Sequence, residues 1–161
     1  MPQPIWRKVV AELTVPQNAA DQWTLALDYL TPAKIMKIEV VVDAARNPAI
    51  TGQWTPQGYR AACPADGDLA GTAREVPNFG TLMVASAHAG ALIARLGGST
   101  ADLEADASTT APTRIVFSVG RQCVFTVPAS PIGSLFLGVN ADKSRMTGIT
   151  GSQVVNIYEA L

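Results

Sequence analysis

Charge is scarce in this chain. Of 161 residues only 16% are Asp, Glu, Lys or Arg, against an average near ~25%. The 12 basic residues are matched by 13 acidic ones, and no basic run occurs. A nucleic-acid interface needs a cationic footprint to neutralise phosphates, so no nucleic-acid partner is expected. Histidine is nearly absent: His88 stands alone in an Ala- and Gly-rich stretch. With no Ser or Cys motif beside it that requires a general base, it reads as structural or incidental. Cysteine is sparse too, and the two, Cys63 and Cys123, lie far apart with no CxxC or neighbouring His. Zinc and a disulfide scaffold are therefore excluded, and two buried thiols are expected. No apolar run reaches the ~20 residues that span a bilayer. The opening Met-Pro-Gln-Pro-Ile-Trp-Arg-Lys lacks the charged-then-apolar order of a signal peptide. The expectation is a soluble protein that begins in the cytoplasm and leaves it, if at all, by a route without a signal peptide.

Hydrophobic residues, proline and glycine are plentiful. The chain is 48% hydrophobic, and its 11 prolines and 13 glycines are spread throughout. This punctuation cuts the sequence into short elements, which favours a β-sandwich or barrel over a helical bundle. The length fits one domain covering residues 1–161. Strands are expected at 5–13, 23–30 and 34–43, each rich in β-branched or aromatic residues and closed by a polar or proline turn. The stretch 79–96 contains enough Ala and Leu to suit a helix. Gly80 and Gly90 interrupt it, each costing roughly 1 kcal/mol relative to Ala in a helix interior. Two strands, 80–86 and 91–96, joined by a turn near His88-Ala-Gly90, are preferred. The polar, acidic stretch 97–112 reads as a loop. Strands 114–119 and 122–127 flank Gly120-Arg121 in the manner of a tight hairpin. Strands 134–139 and 152–158 close the fold, with 140–151 as the loop between them.

Few side-chain groupings carry chemistry. Leu96-Gly-Gly98 has neither the lysine nor the spacing of a phosphate loop. Ser86, two residues from His88, forms no specified dyad. The alternating Asp102, Glu104 and Asp106, with Ser108, offer oxygens to a cation, but no glycine-pinned loop accompanies them. Asn140, Asp142, Ser144 and Thr147 form a second oxygen-rich set, opposed by Lys143 and Arg145. No acid–base or nucleophile constellation stands out, so no enzyme activity is assigned. The segment Trp54-Thr-Pro-Gln-Gly-Tyr-Arg60, followed by turn-borne Asp66, is more suggestive. Sugars offer apolar C–H faces to aromatic rings and paired hydroxyls to carboxylates. The plainer reading is that Trp54 and Tyr59 cover the end of a sandwich core.

Taken in order, these segments resemble the galactophilic bacterial lectins of PA-I type. The resemblance rests on Trp6–Ala11, Tyr29–Ile38, the Trp-x-Pro-Gln-Gly-x-Arg pattern at 54–60, Gly90–Gly97 and Gly151–Ile157, with a longer insert around 99–113. It implies a small jelly-roll-like β-sandwich of galactose-binding-domain type, soluble oligomers, and calcium-mediated binding of a galactose-type carbohydrate. The family holds calcium with Asp, Thr and two adjacent Asn side chains. Those positions fall here on Ala141 (with Asp142 one residue away), Arg145, Gly148 and Ile149. Calcium wants ~6–8 oxygen ligands, so no metal ligand and no cofactor are assigned. The family's sugar-contacting turn falls on Cys63-Pro-Ala-Asp66. The expected function is a lectin-like, calcium-independent carbohydrate-binding module, or one that has lost its sugar, with Trp54, Cys63, Asp66 and Asp142 as site residues. The alternative is a structural subunit that uses the same sandwich as a scaffold, as a homo-oligomer or within a larger assembly.

Overall fold

In the computed structural model, residues 5–41, 54–69, 82–97, 115–129, 133–142 and 145–161 are described. Among the described residues ten strands form: β1 (Trp6–Val15), β2 (Thr24–Leu27), β3 (Ile35–Val40), β4 (Trp54–Thr55), β5 (Leu92–Leu96), β6 (Ile115–Ser118), β7 (Gln122–Thr126), β8 (Leu135–Val139), β9 (Thr150–Gly151) and β10 (Gln153–Ala160). Two four-stranded antiparallel sheets, β1-β10-β3-β7 and β2-β8-β5-β6, make a sandwich, with β4 and β9 pairing separately at one end. The fold is all-β, as expected. With the two-residue β4 and β9 set aside, the sheets contain the first, eighth, third and sixth strands and the second, seventh, fourth and fifth. This is the strand order of a jelly roll. Among the described residues no helix is long and apolar enough to cross a membrane.

The two sheets bury themselves differently. In β3, Met36, Ile38 and Val40 are buried and alternate with the less buried Ile35, Lys37 and Glu39. That is the period-2 pattern of a sheet with one face on the core. The register then aligns Lys8, Tyr158, Lys37 and Val124 across all four strands of the outer face. The Lys37 ammonium sits 4.9 Å from the Trp6 ring and 4.6 Å from the Tyr158 ring. Trp6 and Tyr158 therefore flank a lysine on the outer face and do not enter the core.

In β5 (Leu-Ile-Ala-Arg-Leu) and β8 (Leu-Phe-Leu-Gly-Val) every residue is buried. Near-continuous apolar runs of this kind belong to strands covered on both sides. Trp23 supplies part of the second cover. A Cβ at Gly138 would stand 3.0 Å from the Trp23 ring, so glycine is what lets the indole lie against β8. Arg95, fully buried, stacks its guanidinium 4.1 Å from the Phe136 centroid and 5.2 Å from that of Trp23.

Three local expectations are corrected. Residues 82–86 form bends and turns, not a strand, and 80–81 lie outside the described residues. Ser86 and His88 are therefore not partners on one strand face. β6 and β7 do not make a hairpin: β6 pairs with β5 in one sheet and β7 with β3 in the other. The chain crosses between layers at Val119-Gly-Arg121, and Phe117 and Phe125 meet across the gap with ring centroids 5.0 Å apart. Finally, the end of the expected 140–151 loop is β9, which pairs with β4. Asp43, the acidic 98–112 stretch, Arg114, Lys143 and Ser144 lie outside the described residues.

Candidate functional site

The expected site residues are carried by loops at one end of the sandwich. Segment 54–69 leaves β4 and turns twice, closed by Tyr59 N–H to Pro56 O (3.0 Å) and Gly67 N–H to Pro64 O (2.8 Å). The proline and glycine at those spacings are ordinary turn chemistry. It is tied back to the top of β5 by Leu92 N–H donating to Ala65 O and Asp68 N–H donating to Ala89 O, both at 2.8 Å.

Two of the four site residues turn inward. Trp54 is fully buried, and its indole N–H donates to Gly90 O at 2.8 Å. Cys63 is buried beside it, its backbone N–H donating to Trp54 O at 2.9 Å. Its thiol lies 3.7 Å from the same Gly90 carbonyl. Gly90 adopts φ +83°, and a Cβ there would stand 2.6 Å from Cys63 Sγ. The three residues thus interlock, and any side chain at 90 would be strained by the left-handed backbone and would crowd Cys63. Trp54 and Cys63 are thus placed in the core, where they close the end of the sandwich. Burial pushes the Cys63 thiol up to about 12, with the nearby Asp68 charge acting in the same direction against a hydrogen bond from Trp54. Burial also raises the Cys123 thiol. Both shifts favour the protonated thiol over the nucleophilic thiolate.

The other two stay at the surface on different segments. Asp66 accepts the Arg121 backbone N–H at 3.0 Å through Oδ1, and its Oδ2 lies 3.6 Å from Arg121 Nε. Gly120, at φ +63°, makes this possible, since a Cβ there would be 2.7 Å from Asp66 Oδ1. Asp142 is half-buried after β8, its carbonyl accepting Arg145 N–H at 2.8 Å. Asn140, read as a cation-facing amide, is fully buried and committed elsewhere. Its Oδ1 accepts Val84 N–H at 2.9 Å, and its Nδ2 donates to the carbonyls of Val84, Ala87 and His88 at 2.9, 3.3 and 3.1 Å. One amide therefore pins the 84–88 turns.

Sequence reasoning missed the cleft beside Asp66. It measures about 330 Å³ and, among the described residues, is lined by Glu39, Val40, Arg121 and Gln122. A carboxylate, a guanidinium and a carboxamide converge there from the end of β3 and the start of β7. The register pairs Glu39 with Gln122. Only the lone cation beside Gly120 marked this place in the sequence, and the hairpin reading hid it.

The calcium chemistry of the lectin resemblance does not fit these residues. Ala141 and Ile149 are buried and apolar, and Gly148 offers no side-chain oxygen. Among the described residues no three His, Cys, Asp or Glu side chains come together. Comparison of the chain with family models, curated protein sequences and solved structures finds no match in any of the three, so no family hit supports the lectin assignment.

Proposed function

We propose that this protein is a non-catalytic binding module that takes a small polyhydroxylated ligand, a saccharide, at the Arg121 cleft without calcium. The observation that carries the reading is the grouping of Glu39, Arg121 and Gln122 around an open cleft of about 330 Å³. Vicinal hydroxyls are both donors and acceptors. Glu39 offers acceptors only, Arg121 donors only, and Gln122 one of each kind. Asp66 holds the guanidinium over the cleft. Their contact is exposed, with side-chain exposures of 69% for Arg121 and 40% for Asp66, so it orients the group and adds little stability. No aromatic ring joins this set among the lining residues described, so affinity rests on hydrogen bonds and is weak, with little contribution from stacking.

A glycan array and isothermal titration, each run with and without EDTA, test this. Binding that survives EDTA and is lost in Arg121→Ala is the expected result. No binding to any glycan, or binding untouched by Arg121→Ala, sinks the saccharide reading; EDTA-sensitive binding sinks its calcium-free form.

A second reading, a structural or assembly subunit, is favoured by one observation. The outer face of the β1-β10-β3-β7 sheet leaves Ile35 43% and Val124 53% exposed beside the Lys37–aromatic cluster. Such a face suits contact with protein. A stable assembly with no glycan binding is its signature.

A further inference from the structure

The four outermost strands of the sandwich are not equally protected. β1 carries Arg7, Lys8 and Glu12 and is bulged twice, with Glu12 at φ 52°. β2 has four residues and a register shift between Leu25 and Leu27. Charges and bulges are the usual devices that stop an edge strand from pairing with another chain. β6 is unbulged but only four residues long. β7, Gln122-Cys-Val-Phe-Thr126, has none of these devices: it carries no charge and no proline, and it pairs with β3 in unbroken register. Among the described residues no strand lies beyond it.

The direction of its backbone groups follows from the ladder. Val40 N–H donates to Arg121 O, and Val127 N–H donates to Lys34 O, at 2.9 and 2.8 Å. Both pairs belong to the β3–β7 register, so the hydrogen-bonded positions of β7 are odd-numbered. The N–H and C=O groups of Gln122, Val124 and Thr126 therefore point away from β3, to the side where no described strand lies. Their side chains stand on the outer face, where Val124 is 53% exposed.

We infer that β7 is a dimerisation edge whose partner is β7 of a second copy of this chain, paired antiparallel about Val124. This does not rest on the saccharide reading. Antiparallel pairing is self-complementary here. Val124 meets Val124 of the second copy, and Gln122 meets Thr126 of the second copy on both sides of the two-fold axis. About six inter-chain hydrogen bonds result, two for each facing pair. An uncharged strand meets its own copy without like-charge repulsion, the valines cover each other, and the Gln–Thr pairs can hydrogen-bond. The two four-stranded sheets become one continuous sheet.

Analytical ultracentrifugation of the full chain over a micromolar concentration series tests the inference. The wild-type chain is expected as a dimer. Val124→Pro removes an outward N–H and none of the bonds to β3, so the fold is retained while the edge is blocked. The dimer dissociation constant should rise at least about tenfold. Val124→Lys, which sets two ammonium groups opposite each other, should do the same in a strand whose 124 side chain is already exposed. Circular dichroism and urea midpoints verify folding of both variants. Ile35→Lys, on the same outer face but one strand inward, should leave the dimer intact. A monomeric wild-type chain overturns the inference. So does a dimer whose dissociation constant is unchanged in folded Val124→Pro or Val124→Lys, or one that Ile35→Lys dissolves.

Discussion

Replacing Asn140 by alanine tests whether one buried amide holds the loop end of the sandwich together. The side chain is fully buried and serves four backbone groups: the N–H of Val84 and the carbonyls of Val84, Ala87 and His88. Its two N–H protons are shared among three carbonyls, so about three net hydrogen bonds are lost at about 1 kcal/mol each. His88 is exposed, and water can reach its carbonyl in the variant. Val84 and Ala87 are half-buried and are rehydrated less easily. The expected destabilisation is about 2–4 kcal/mol. For a domain of this size that lowers Tm by roughly 5–12 °C. Urea denaturation measures the loss, and native-state hydrogen exchange locates it. The Val84 amide should exchange about 30-fold faster or more. The backbone bond from Gly90 N–H to Asn140 O (2.8 Å) survives the substitution, so Gly90 should change less. A loss below about 0.5 kcal/mol, the scatter of ordinary surface substitutions, with Val84 still protected, would refute the idea that this amide pins the turns.

Two further predictions concern the interlocked Trp54–Cys63–Gly90 group. Gly90→Ala combines a left-handed backbone with a 2.6 Å approach to Cys63 Sγ, and about 2–4 kcal/mol should be lost in thermal or urea melts. In the Cys63→Ala background the same change should cost about half as much, and a strictly additive double-mutant cycle would disprove the clash. The Cys63 thiol, raised from 9.0 to about 12, should resist iodoacetamide at pH 8 in the native protein and react once the chain is unfolded. Because the unfolded thiol ionises first, its contribution to stability is present below pH 9 and declines as pH rises from there toward about 12. Urea midpoints for wild type and Cys63→Ala should therefore converge across that window; parallel curves would contradict it.

The spacing of proline and glycine, the scarcity of charge and the runs of β-branched residues were enough to establish an all-β chain. They also placed most of its strands within a few residues. Those signals are local: β-propensity, turn chemistry and the near-continuous apolar runs of β5 and β8 act over a few neighbours. Whatever depended on distant partners was out of reach. Gly120-Arg121 looks like a hairpin turn, yet β6 finds its partner in β5 and β7 finds its own in β3. The choice between a hairpin and a crossing between layers is made by strands far away in the chain. Trp54 has the composition of a sugar platform, but the Gly90 carbonyl satisfies its indole N–H inside the core. The cleft of Glu39, Arg121 and Gln122 exists only because β3 and β7 lie side by side. Local chemistry set the elements, and burial and pairing between remote segments determined which polar groups face a ligand and which are used up holding the fold.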